Sequence, residues 1–157
     1  IYCNNNPDTE MFSGKGLTLG GNQLNNFSSE SYYGDLSSIL IHNTPYWVEL
    51  IRTPERSIAM MDEFEKKIKK IGKATLKENV TTIAGVPSWM LVLLKDILEQ
   101  SGKNNMLEIW PNLELFIHGG INFGPYRKQY EALIPFTKMN YLETYSEIGR
   151  ASCRERV

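Results

Sequence analysis

The sequence predicts an α/β fold, with a mainly parallel sheet flanked by helices. Three observations carry that expectation. From Thr81 to Tyr145 the segments alternate strand, helix, strand, helix, strand at the spacing of βαβ units. The first helix of that run, Trp89 to Gln100, is apolar nearly all round, a pattern that suits a helix buried on most sides. The best strand, Leu113 to His118, stops abruptly at Gly119-Gly120, and open α/β sheets bind ligands at strand carboxyl ends.

Taken in chain order, the first 34 residues are rich in Asn, Ser and Gly. Gly16 to Gly21 reads as a short strand running into a turn. Ser13-Gly14-Lys15-Gly16 lacks the spaced glycines and the Lys-Ser/Thr ending that cradle phosphates, so it reads as a turn. Asp35 to Ile41 predicts a short helix capped by Asp35, with Leu36, Ile39 and Leu40 on one face and His42 as a capping or surface residue. Asp62 to Asn79 predicts an amphipathic helix, with Asp62 and Glu65 at capping-box spacing. Phe64, Ile68, Ile71 and Leu76 mark its apolar face. Lys66, Lys67, Lys69, Lys70, Lys73 and Lys77 read as its solvated face rather than as an anion-binding patch. Thr81 to Ala84 is a strand, Pro87 suits the first turn of the next helix, and Gly102 suits its end. Pro125 to Leu133 predicts a helix with Tyr126, Tyr130 and Leu133 on one face, and Asn140 to Tyr145 predicts a strand.

Bulk properties narrow the functional classes. A chain of 157 residues with 41% hydrophobic and 22% charged residues fits one globular domain with a real core. A net charge of -1 offers no basic excess for phosphate-backbone binding, so nucleic acid is not an expected partner. No apolar run approaches the ~20 residues that span a bilayer, and no signal peptide is visible, so the expected setting is cytoplasmic with no membrane partner. Cys3 and Cys153 sit at opposite ends with no metal-ligand spacing, and read as free thiols. No metal site is expected.

The final stretch, residues 147–157, differs in composition. It carries three Arg and no Lys and has no apolar period. It resembles translated cloning-vector sequence, so the expected division is residues 1–146 as the natural part and 147–157 as a fusion tail, with the junction at Ser146 or Glu147. Without the tail's three Arg and two Glu the rest carries -2.

Chemistry is expected at three strand ends: Ile83 to Ser88, Ile117 to Asn122 and Glu143 to Tyr145. Glycines there let a ligand approach the backbone, and an adenine ring suits exposed amides on its edge and an aromatic such as Tyr145 on its face. A tight turn at Gly119-Gly120 and a core role for Tyr145 explain the same residues. No Ser-His-Asp or Cys-His arrangement is legible, so catalytic residues are unknown from the pattern alone.

Four segments in this order give a resemblance: Thr82 to Met90, Leu107 to Gly120, Phe123 with Pro125-Tyr126-Arg127, and Met139 to Tyr145. Together they resemble the auxin-responsive acyl acid amido synthetases of the adenylate-forming superfamily, closest to bacterial members, over essentially all of residues 1–146. The resemblance implies part of the large N-terminal domain of a ligase. Such a ligase uses ATP and Mg2+ to adenylate a small carboxylic acid, then conjugates the acyl group to an amino acid amine. It implies nucleotide contacts from His118, Gly119, Gly120, Thr144 and Tyr145. It implies an acyl-acid pocket bordered by Val86, Pro87, Trp89 and Met90, with Ser88 in the same helix start. The family's Tyr-x-Ser-Glu motif departs here after Tyr145, where Glu147 and Ile148 stand, and the upstream phosphate loop is not seen. The chain is therefore expected to be an internal fragment without adenylating activity of its own. Another adenylate former of the acyl-CoA ligase type, and a non-catalytic α/β binding module, are the alternative expectations.

Overall fold

The computed structural model describes residues 2–21, 24–26, 32–135 and 139–144, with the backbone alone at 24–26 and 32. Tyr145, Ser146 and the tail with Cys153 lie outside the described residues, so the structure does not speak to them.

A five-stranded sheet organises the chain, in the order β4-β1-β5-β6-β7, with every neighbouring pair parallel. Its strands are β1 (Lys15–Thr18), β4 (Arg52–Thr53), β5 (Val80–Gly85), β6 (Leu115–Gly119) and β7 (Asn140–Thr144). A two-stranded antiparallel ribbon, β2 (Leu24–Asn26) and β3 (Tyr32–Gly34), stands apart from it. The helices are α1 (Tyr2–Asn5), α2 (Leu36–His42), α3 (Arg56–Ala59), α4 (Phe64–Thr75), α5 (Pro87–Ser101) and α6 (Arg127–Leu133). The predicted fold class is thus borne out: α/β, a parallel sheet, flanking helices.

The core lies where α4, α5 and α6 meet the sheet. Ile68 and Ile71 of α4, Met90, Leu94 and Ile97 of α5 and Tyr130 of α6 pack with Leu17, Ile83 and Phe116 from the strands. Two polar tips inside this core are satisfied by carbonyls, as buried polar groups require. Trp110 Nε1 donates to the Thr75 carbonyl at 3.0 Å, and the Tyr130 hydroxyl donates to the Pro87 carbonyl at 2.8 Å. The first bond ties the loop before β6 to the end of α4, and the second ties α6 to the start of α5.

Several expectations change in detail. The helix expected over 62–79 spans Phe64–Thr75, and the Asp62–Glu65 capping box does not form. Glu63 takes the cap position without a capping bond and instead pairs with Lys66 at 2.6 Å. Lys67 is 2% exposed, so it is not part of a solvated face. The predicted face of α2 is also corrected. Ser38 and Ile41 are buried, whereas Leu36 and Leu40 are 59% and 61% exposed because they turn toward a crevice. Asp35 stands at that helix's cap position but makes no side-chain capping bond.

Helix α5 opens on Pro87 and ends at Gly102 with φ 65°, as expected, and most of its apolar residues are buried, but Trp89 and Val92 leave one face exposed. The strand expected from Gly16 starts one residue earlier, at Lys15, which belongs to β1 rather than to a turn, and the Lys15 ammonium bonds Glu78 at 2.7 Å. The expected strand at 113–118 is shifted to Leu115–Gly119, and the 125–133 helix opens as a 3-10 turn at Gly124–Tyr126. Edge strand β4, with two residues, is too short to leave a period in the sequence.

Candidate functional site

Parallel pairing brings all the strand carboxyl ends to one edge of the sheet. Gly85 of β5 stands opposite His118 of β6, and Gly119 stands opposite Thr144 of β7. A crevice of about 1240 Å³ runs along this edge. Its floor comes from Thr18 to Gly21 after β1, Ala84 to Val86 after β5, His118 to Asn122 after β6, and Glu143-Thr144. Leu36, Ser37 and Leu40 of α2, Phe64 and Lys67 of α4, and Trp89 of α5 form its walls.

Of the expected nucleotide residues, His118, Gly119, Gly120 and Thr144 meet here. Each has a local reason. A Cβ on Gly119 would collide with the Thr144 carbonyl oxygen and come within 2.9 Å of its Oγ1, so β7 itself demands glycine at this place. Gly120 has φ +83°, where a side chain is strained. The Thr144 hydroxyl donates to the His118 carbonyl at 3.1 Å, which locks the two strand ends together.

The His118 side chain is drawn into the aromatic core. It is 3% exposed, stacks on Phe123 at 4.2 Å and 27°, and lies 5.2 Å from Phe116. Burial holds its pKa below the usual imidazole value. The Glu143 carboxylate opposes that shift and the Arg127 guanidinium reinforces it, so the ring is neutral at pH 7. Its Nδ1 is buried without a partner. His118 thus lines the crevice while its ring packs in the aromatic core.

Of the expected acyl-pocket residues, Val86 and Trp89 face the crevice, and Pro87 and Met90 do not line it. Met90 is fully buried behind Gly85, and Pro87 is buried in the first turn of α5. Trp89 is 53% exposed and makes an edge-to-face contact with Phe64 at 4.8 Å. Leu36 and Leu40 add apolar lining, Asp35 and Lys67 add charged groups, and Gly119-Gly120 bring backbone to the same crevice.

A family model described as the GH3 family N-terminal domain matches residues 8–139. The chain belongs to the GH3 family. This is the auxin-responsive acyl acid amido synthetase family that the four sequence segments resemble. No curated protein and no solved structure matches the chain.

One residue of this GH3 chain escapes a reading by residue type. Lys67 lies on the crevice wall, and its Nζ donates to the Gly20 carbonyl at 2.8 Å and to the Gly21 carbonyl at 3.4 Å. Burial lowers its pKa, against the pull of Asp62 and Asp35. The signal was in the spacing: Lys67 follows Phe64 by three residues and precedes Ile71 by four, so it falls on the apolar stripe, whereas Lys66, Lys69, Lys70 and Lys73 do not.

Among the described residues no group of three or more His, Cys, Asp or Glu is placed to hold a metal ion, and no helix is long and apolar enough to cross a membrane.

Proposed function

We propose that the crevice is the acyl-adenylate site of an ATP-dependent ligase, which activates a small carboxylic acid as its mixed anhydride with AMP and joins it to an amino acid amine. The observation that carries this reading is the lining of the crevice in a GH3-family chain, which brings the strand-end pair Gly119-Gly120 together with the apolar side chains of Leu36, Leu40, Phe64 and Trp89. The nucleotide belongs at the Gly119-Gly120 end, with Thr144 beside it and Tyr145 as the ring-stacking partner. The acyl group belongs between Trp89, Phe64, Leu36 and Leu40, with Val86 at the junction.

The chemical logic is leaving-group activation. A carboxylate is a poor acyl donor, and its anhydride with AMP is a good one. The chain's own contribution is to hold both halves of that anhydride in one orientation and to keep water from its apolar half. Magnesium would arrive on the nucleotide's phosphate oxygens. Among the described residues no cluster of His, Cys, Asp or Glu is placed to hold it.

Calorimetric titration with AMP and with a non-hydrolysable acyl-sulfamoyl adenosine tests the reading. The acyl compound should bind about tenfold or more tighter than AMP, the scale of one well-packed apolar group. Trp89→Ala should remove that advantage and leave AMP binding in place. Absence of binding by either ligand, or a Trp89→Ala variant that keeps the advantage, sinks it. A second reading, a non-catalytic binding module, is favoured by one observation: the sheet and backbone by themselves require Gly119 and Gly120.

A further inference from the structure

We propose that Lys67 is a positioning residue for the crevice: its ammonium clamps the Gly20-Gly21 turn to α4 and so fixes the acyl end of the site. The inference rests on the acyl-adenylate reading for its functional consequence, and on hydrogen bonding for the clamp.

The turn after β1 is held from two sides. Lys67 Nζ reaches the Gly20 carbonyl at 2.8 Å and the Gly21 carbonyl at 3.4 Å from α4. The Gly21 amide donates to Ser37 Oγ at 2.8 Å on α2. Gly20 passes so close to α2 that a Cβ there would lie 2.6 Å from Ile41 Cδ1. The turn therefore fastens α2 to α4, the two helices whose Leu36, Leu40 and Phe64 line the crevice. A methionine at position 67 would keep the apolar stripe and avoid burying a charge. It would also leave both glycine carbonyls without the ammonium and remove these two hydrogen bonds between the turn and α4. A cation here has value where the place of those carbonyls matters. Moving the turn would change the separation of the acyl walls, while Gly119-Gly120 lies beyond β5 and would stay in place.

Lys67→Met and Lys67→Arg in the full chain test this, with AMP, the acyl-sulfamoyl adenosine and the backbone amide resonances of Gly20 and Gly21 as readouts. Lys67→Met should shift both glycine amides and weaken the acyl compound by about tenfold, a modest share of what ångström-scale misplacement costs. AMP affinity should stay within roughly threefold of wild type, since the nucleotide end is untouched. Lys67→Arg should recover most of the loss, because a guanidinium also donates to the carbonyls. Equal weakening of both ligands, or unshifted glycine amides, overturns the proposal. If Lys67→Met does not fold, Lys67→Gln carries the same comparison. If the wild-type chain binds neither ligand, the site reading fails on its own, and the glycine amides alone decide the clamp: shifted supports it, unshifted overturns it.

Discussion

At the scale of single residues, the glycines and the histidine of the crevice make distinct predictions. Gly119→Ala drives a methyl group into the Thr144 carbonyl, and Gly120→Ala places a side chain at φ +83°. Each should cost about 1–3 kcal/mol of stability, measured by urea denaturation. An unchanged midpoint in both variants would contradict the geometry. His118 predicts a pH dependence. Its folded pKa lies below the ordinary value of 6.5, so as pH falls below 6.5 the unfolded chain takes up the proton first. The stability it contributes is present above 6.5 and lost on acidification. A series of urea midpoints from neutral to mildly acid pH should show this loss in the wild type, and His118→Asn should flatten it. The histidine was legible as a strand-end residue, but the stacking of its ring on Phe123 was not, because that contact joins β6 to the loop after it in space.

At the scale of elements, α4 and α5 separate what periodicity tells from what packing decides. The stripe of α4 was legible, and it fixed the burial of Ile68 and Ile71. Its start was not, because two acidic residues lie next to each other and only the tertiary path of the chain selects Glu63 as the cap. That cap makes no side-chain capping bond, so Glu63→Ser should stabilise the protein by about 0.5–1 kcal/mol. Losing the exposed pair with Lys66 offsets little of this gain. A lower thermal midpoint would show that the pair outweighs the cap. In α5 two neighbouring residues of the expected acyl pocket divide. Met90→Ala should cost about 2–5 kcal/mol, because the side chain is fully buried in the core. Trp89→Ala should cost far less stability, since half of the ring faces the crevice, and should act on ligand binding instead. A sequence apolar nearly all round gives no sign of which face meets a ligand.

At the scale of the whole molecule, the parallel topology makes the crevice. It also leaves apolar surface elsewhere. Phe12, Tyr46, Trp47 and Leu50 are exposed. A second hollow of about 340 Å³ lies nearby, between the start of β1, α2 and the 46–51 segment. Surface of this kind promotes association. Light scattering should show self-association that rises with concentration, and Trp47→Ser with Leu50→Ser should reduce it. Scattering unaffected by the double substitution would assign the effect elsewhere. By itself the sequence determined the fold class, the apolar stripe of α4, the Gly102 stop and the family, because period, turn chemistry and ordered motifs are written in consecutive residues. Only the tertiary structure decided that β1, β5, β6 and β7 place their carboxyl ends along one crevice, that Met90 serves the core while Trp89 faces the site, and that Lys67 is buried against Gly20 and Gly21. The physical reason is that these relations join residues far apart in the chain. Burial and hydrogen-bond partners arise when strands pair and helices pack, and no local pattern records them.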